Sequence, residues 1–505
     1  MSEPETIPSL LARGADGATA LAAPGRPDLS YAALRRQVAA TVAALNGLGV
    51  GRDDAVAIVL PNGPEMAAAF ISIAAGATTA PLNPAYTADE FAFYLADLSA
   101  RLLVVMAGSE SPAVAVAHRL GVPIAELVVP EGAAAGEFTL RGQAGTARQP
   151  GFAAGDEVAL VLHTSGTTSR PKIVPLTHRN VCASAGHIAA SLELTPTDRC
   201  LQVMPLFHIH GLIAAVLSSL HAGASVVCTP GFNALTFFAQ LADFRPSWYT
   251  AVPTMHQAIL GRAARNRAAI AAAPLRFIRS SSASLPPQVM TELEATFGVP
   301  LIEAYGMTEA AHQMASNPLP PRPRYPGSVG VAAGPEVAIM DEQGTLLPAG
   351  AVGEVVIRGP NVTPGYRSNP TANATAFTNG WFRTGDQGVL DEAGYLRLTG
   401  RLKEIINRGG EKISPREVDE VILDHPAVDQ VVTFPVTHAK LGEDVAAAVV
   451  LKPGAAVTER ELQQFIGGRL ADMKVPRKIL FLEEIPKGAT GKVQRIGLAA
   501  RLGLA

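Results

Sequence analysis

Between residues 30 and 106, apolar runs of strand length alternate with stretches of helical spacing. Residues 55–60 (AVAIVL) and 102–106 (LLVVM) are short, uninterrupted and rich in Val, Ile and Leu, the pattern of strands buried on both faces. Residues 30–48 have helical spacing, with Ser30 as cap and Gly49 as stop. Residues 64–75 and 87–98 read the same way, the second capped by Thr87, and Ala80 and Pro81 begin a further strand. Strand and helix in repeated alternation predict a mostly parallel, doubly wound sheet, so the fold class is α/β. Strands at 225–227, 248–251, 277–280 and 300–304, with helices between them, continue the pattern. A chain of 505 residues exceeds one ordinary core, and two to four units are expected.

The texture changes after Pro318. Residues 334–339, 353–358 and 395–399 read as short strands separated by turn residues, suggesting an antiparallel β subdomain. A boundary follows at 400–408 (GRLKEIINR). Beyond it, helices at 415–424 and 458–470 and strands at 428–436 and 445–450 suffice for a small α/β domain.

Hydrophobic residues make up 48% and charged residues 17%, which fits a soluble enzyme rich in buried sheet. The net charge of −3, without a block of like charge, argues against nucleic acid or an anionic membrane as partner. Cys182, Cys200 and Cys228 lack metal-ligand spacing and suit a reducing compartment. The N-terminus has no basic region followed by an apolar one, so no signal peptide is expected. The longest uncharged run, 211–230, is broken by Ser, His and Gly and reads as helix, turn and strand rather than a membrane span. The expected location is cytoplasmic, with monomer or homodimer left open.

Residues 163–175 (HTSGTTSRPKIVP) follow an apolar strand at 158–162 and precede a helix read at 177–194. A strand, a loop of hydroxyls with Gly and Lys, then a helix, is an arrangement that holds phosphate. Gly-Lys-Ser/Thr at Walker spacing is absent, and a polar turn would use the same residue types.

Six stretches in order resemble the adenylate-forming superfamily: TSGTTSRPK (164–172), PLFHIHG (205–211), EAYGMTEA (303–310), TGD (384–386), GRLKEIINRGGEKI (400–413) and PKGATGKVQR (486–495). The superfamily includes acyl-CoA synthetases, firefly luciferase and peptide-synthetase adenylation domains. The wording HTSGTTSRPK, EAYGMTEAAHQMASNPLP, GPNVTPGY and INRGGEKISPREVD resembles the oxalyl-CoA synthetases of plants and fungi. The resemblance implies two doubly wound sheets plus an antiparallel subdomain in residues 1–402. It also implies a small mobile α+β domain in 403–505.

It further implies ATP, Mg²⁺ and coenzyme A (CoA) as partners of a small carboxylic acid, joined through an acyl-adenylate. Thr164, Ser165, Gly166, Thr167, Thr168 and Lys172 would hold the terminal phosphates. Ser169 and Ile173 stand where much of the superfamily has Gly. Glu309, with Thr164 or Thr308, would hold the metal. Tyr305 would stack on adenine within the run Glu303, Ala304, Tyr305, Gly306, Met307 and Thr308, with Ser282 and Ala283 opposite. Asp386, assisted by Arg401, would accept the ribose hydroxyls, and Lys492 would be the adenylation lysine. Lys403 would be the hinge, with Gly409, Gly410 and Glu411 on the CoA side.

The acid end departs from enzymes of bulky acids. His210 stands where Tyr is common, Ser281 where Gly is common, and His312 where aromatic-acid ligases carry Pro. With His208 they would form a small polar pocket suited to a second carboxylate, oxalate first. His210 and His312 as core histidines bonded to backbone, another acid (malonate, a medium-chain fatty acid or a coumarate-like acid), and a nucleotide-binding protein without catalysis are the alternatives.

Overall fold

The computed structural model describes residues 4–164, 171–486 and 494–504. The chain forms two compact units. Of the described residues, the first comprises 4–164, Lys172–Val337 and Ile357–Ala376; the second comprises Pro171, Ala338–Val356, 377–486 and 494–504.

The first unit contains two sheets. One has seven strands in the order Thr139–Gly142, Ile124–Val128, Leu102–Met106, Ala55–Val59, Thr78–Pro81, Val158–Thr164, Lys172–Thr177. Its five central strands are parallel, for example Val56 beside Leu102. The other has nine strands in the order Val331–Ala332, His312–Ser316, Leu301–Met307, Phe277–Ser280, Trp248–Ala251, Arg199–Gln202, Ser225–Cys228, Thr19–Ala22, Leu29–Ser30. The helix Pro64–Ala74 touches strands of both sheets and is buried over nearly its whole length, as a helix apolar on almost every side must be. The caps fall where expected. Ser30 accepts from the Ala33 N–H, and Thr87 forms a reciprocal capping box with Glu90.

The hydroxyl stretch is built differently from its expected strand–loop–helix form. Lys172–Thr177 is a second strand, antiparallel to Val158–Thr164, with Thr164 opposite Lys172. The helix His178–Ser191 begins only after it, capped by Thr177. No helix N-terminus therefore follows the hydroxyls directly. Any phosphate grip there rests on hairpin backbone, hydroxyls and cations. Ser165, Gly166, Thr167, Thr168 and Ser169 lie outside the described residues.

The expected helix after residue 211 is a π-helix, His210–Leu217, continued by Ser218–His221. Gly211 permits its entry, because a Cβ there would lie 2.6 Å from the Pro205 carbonyl oxygen. π-Helical turns recur at functional sites.

The second unit holds most of a five-stranded sheet in which Trp381–Leu390 pairs antiparallel with Phe377–Thr378 and with Leu396–Arg401. A separate sheet orders Glu411–Ile413, Ile406–Arg408, Gly442–Leu451 and Val428–His438, with Lys478–Phe481 beside Gly442–Leu451. The helices Pro415–Leu423 and Glu459–Gly467 bury Val418, Ile422, Leu462 and Ile466 in one cluster with that sheet. All three cysteines are free and buried. Among the described residues no helix is long and apolar enough to cross a membrane.

Candidate active site

In the first unit, the candidate residues gather at the end of strand Leu301–Met307. This strand runs parallel to Phe277–Ser280, then turns back through Thr308–Ala310 into His312–Ser316. The return is tight. A Cβ on Gly306 would lie 1.8 Å from the His312 carbonyl oxygen. Ala311 and His312 adopt φ of 47° and 102°, and nearby Ser282 adopts 73°. Positive φ in a non-glycine residue costs about 1–3 kcal/mol, and such residues collect at functional sites. The surroundings hold the turn in place. Ser184 donates to the Ala311 carbonyl, Asn361 donates to the carbonyls of Ala310 and Gln313, and the Thr363 N–H donates to that of Glu309.

Glu309 is buried, and its Oε1 accepts from the Tyr366 hydroxyl at 2.9 Å. Burial and the Glu309 charge push the Tyr366 phenol upward, so it remains a donor. Lys172 sits with its Nζ 4.3 Å from the centre of the Tyr366 ring. Sequence reading missed Tyr366, which joins the expected metal carboxylate to the expected phosphate lysine. Thr164 ends its strand directly opposite Lys172. Among the described residues no three His, Cys, Asp or Glu side chains cluster as a metal cage. The single carboxylate of Glu309 fits a hard cation whose remaining ligands are water and phosphate oxygen.

The acid-end residues also lie together. His210 and His312 are fully buried, their rings 4.9 Å apart. His210 Nδ1 meets the Ser282 hydroxyl at 3.0 Å, and its Nε2 meets the Thr250 hydroxyl at 2.6 Å. Both histidines thus engage side chains rather than backbone. Ser281 turns inward, its hydroxyl donating to the Ala304 carbonyl at 2.8 Å. His208 is half-buried, its ring centre 4.5 Å from that of Phe207 and tilted against it, just before the π-helix.

Between the histidines stands a residue that sequence reading passed over. Arg279, on strand Phe277–Ser280, is fully buried. Its Nη1 lies 3.3 Å from His312 Nε2 and 3.5 Å from both His210 Nε2 and Thr250 Oγ1; its Nη2 donates to Gln313 Oε1 at 3.2 Å. Burial pushes the guanidinium down to about 9, which leaves it charged at neutral pH. Burial first, then neighbouring positive and imidazole groups including Arg279, hold His210 and His312 well below the ordinary imidazole range.

Tyr305 and Glu303 are buried on the same strand, with Ala304 between them, and Glu303 Oε1 accepts from the Leu285 N–H at 3.2 Å. Ser282 and Ala283 are exposed, while Met307 and Thr308 are half-buried at the turn.

In the second unit, Asp386 is buried and accepts from Arg401 Nε at 2.9 Å. Lys403 is exposed within the turn Leu402–Glu404. Gly409 and Gly410 form the two-residue turn between Ile406–Arg408 and Glu411–Ile413, with φ of 62° and 97°. Tight hairpins of this kind require positive φ at both positions. These glycines therefore have a backbone reason for their identity. A Cβ on Gly410 would meet nothing within 4 Å. Lys492 lies outside the described residues. Three residues beyond it, Arg495 pairs with Asp419 and Glu404 and donates to the Thr433 carbonyl.

The chain matches the AMP-binding enzyme family over residues 11–367 and the AMP-binding enzyme C-terminal domain over 417–492. It is 47% identical over 423 residues to an oxalate–CoA ligase of Arabidopsis thaliana, covering 82% of this chain and 81% of that protein. An oxalate–CoA ligase of Saccharomyces cerevisiae is 44% identical over 438 residues, covering 82% and 80% respectively. Among solved structures, ATP-bound MatB from Rhodopseudomonas palustris is similar with a TM-score of 0.88 at 30% identity, covering 98% of each chain.

Proposed function

The chain belongs to the AMP-binding enzyme family, and on that premise we propose that it is an ATP-dependent acid–thiol ligase converting oxalate and CoA to oxalyl-CoA. One observation carries the choice of acid. His210 and His312 are buried side by side with Arg279, so this end of the site is polar and cationic. An alkyl acid brought against it would leave buried polar groups unpaired, whereas a second carboxylate pairs them.

In the first step a carboxylate oxygen of the acid attacks the α-phosphorus of ATP. The bond from that phosphorus to the bridging oxygen breaks, releasing diphosphate and leaving the acyl-adenylate. Two anions approach one another, so placement and positive charge supply most of the acceleration. Thr164 and Lys172, with Ser165, Gly166, Thr167 and Thr168, hold the leaving diphosphate in this reading. Lys492 would offset the charge of the carboxylate and α-phosphate, and Asp386 would take the ribose hydroxyls. Glu309, oriented by Tyr366, would hold Mg²⁺ with Thr164, and the ion when bound would neutralise phosphate charge. In the second step the CoA thiolate attacks the acyl carbon, AMP leaves with the C–O electron pair, and the thiol proton passes to solvent.

The two steps use two placements of a C-terminal domain running from Lys403 to the end of the chain. Lys492 serves the first, and Gly409, Gly410 and Glu411 serve the second. A thioester-release assay across oxalate, malonate, octanoate and coumarate tests the reading. Oxalate is expected to be preferred, and efficient use of octanoate with none of oxalate would overturn it.

A further inference from the structure

Arg279 presents an unusual electrostatic situation. It is fully buried in the interior of a parallel sheet, and among the described residues no carboxylate lies within ion-pair distance of it. Its Nε has no hydrogen-bond partner. A buried charge without a counter-charge is costly, and breaking such a pair elsewhere typically destabilises a protein strongly. Hydrophobic packing gives no reason to keep one here.

The hydrogen bonds around it have a fixed direction. A guanidinium only donates, so the His312 Nε2 that it meets is an acceptor, and the neutral ring carries its proton on Nδ1. The same holds for His210 Nε2, so His210 Nδ1–H donates to Ser282. The Thr250 hydroxyl takes part in the same set, 3.5 Å from Arg279 Nη1 and 2.6 Å from His210 Nε2. The polarity therefore runs outward from Arg279, through the His210 N–H, to Ser282, which is exposed.

We propose that Arg279 is the specificity-determining positioning residue of the acid site, the buried cation whose missing counter-charge is the second carboxylate of the substrate. It acts through His210 and His312, fixing the tautomer of both rings, with the His210 N–H held by Ser282 and the His312 Nδ1–H left for that carboxylate. The proposal rests on the dicarboxylate reading above and names the residue that enforces it. It also explains why the histidines need no protonation to receive an anion. The groups facing His210 are Arg279, His312, His256 and His208; Arg279 faces His312, and the neutral Cys200 thiol faces Arg279.

The test compares kcat/KM for oxalate and for acetate, in full-length wild type and two variants. Arg279→Met removes the cation. Gln313→Glu keeps the arginine and sets a carboxylate where Gln313 Oε1 now accepts from it, supplying an internal counter-charge. In each variant the oxalate-to-acetate ratio is expected to fall by about 100-fold, mostly through the KM for oxalate, as when a partner of a buried charge is lost. Gln313→Glu gives an answer even if Arg279→Met does not fold. Equal losses for both acids, without a rise confined to the KM for oxalate, would reduce Arg279 to a structural residue and overturn the proposal. A dicarboxylate preference that survives in both variants overturns this proposal alone. A wild type with no preference for a dicarboxylate overturns both it and the oxalate reading.

Discussion

Gly306→Ala ties the fold to the acid site most directly. The new Cβ would lie 1.8 Å from the carbonyl oxygen of His312, 2.6 Å from its carbonyl carbon and 2.8 Å from its Nδ1. That is about 1.6 Å short of an ordinary contact, and the obstacle is largely backbone rather than a flexible side chain. The strand His312–Ser316 must therefore move. It cannot move alone, because Arg279 Nη1 touches His312 and Arg279 Nη2 touches Gln313. Overpacking of this kind costs about 1–3 kcal/mol of stability. Displacing a positioning group by about 1 Å costs on the order of 100-fold in rate. The expected result is a loss of about 100-fold in kcat/KM for oxalate, with a smaller rise in the KM for ATP. Oxalate-dependent pyrophosphate exchange measures it, with denaturant unfolding alongside. Gly261→Ala is the control. It sits in the helix Pro253–Ala263 with open space around it, so alanine there should be neutral or stabilise by about 0.5–1 kcal/mol. Exchange within threefold of wild type in Gly306→Ala would refute the claim that this close approach sets the position of His312.

Further tests separate the steps. Tyr366→Phe keeps the ring under Lys172 and removes only the donor to Glu309; the Mg²⁺ concentration for half-maximal exchange should rise by about 10–100-fold, and an unchanged Mg²⁺ dependence would sever Tyr366 from the metal site. Lys492→Ala should lower adenylation by about 100-fold or more while sparing thioester formation from supplied acyl-adenylate. Equal loss of both steps would refute the two-placement scheme. Gly410→Leu should retain adenylation and lose CoA transfer, with Gly410→Asn, which tolerates positive φ, as the control for turn strain. Normal transfer in the leucine variant would count against a CoA path beside this turn.

Much of this architecture is legible in the sequence because buried parallel strands must be apolar and their connecting helices must be capped. Residues 55–60 and 102–106 declare themselves in this way, as do Ser30 and Thr87. The strand Lys172–Thr177 does not, because Pro175 reads as a break. It is tolerated because the strand lies at the edge of its sheet, where one row of N–H groups needs no partner. The return strand His312–Ser316 was also hidden. Its entry depends on positive φ at Ala311 and His312, a tertiary constraint without a local signature. Arg279 was visible but unread: a charged residue within FIRS, a stretch expected to be a buried strand, contradicts its surroundings unless function requires it. Tyr366 stands at the end of GPNVTPGY, but its role carried no signal, since its meeting with Glu309 joins positions 57 residues apart.

The most direct measurement of the central claim is a crystal structure with a non-hydrolysable analogue of oxalyl-adenylate. The distal carboxylate should accept from His312, with Arg279 unmoved behind it and without any protein carboxylate closer to the guanidinium. A distal carboxylate directed away from His210 and His312, or a hydrophobic acid occupying that space with the histidines displaced, would contradict it.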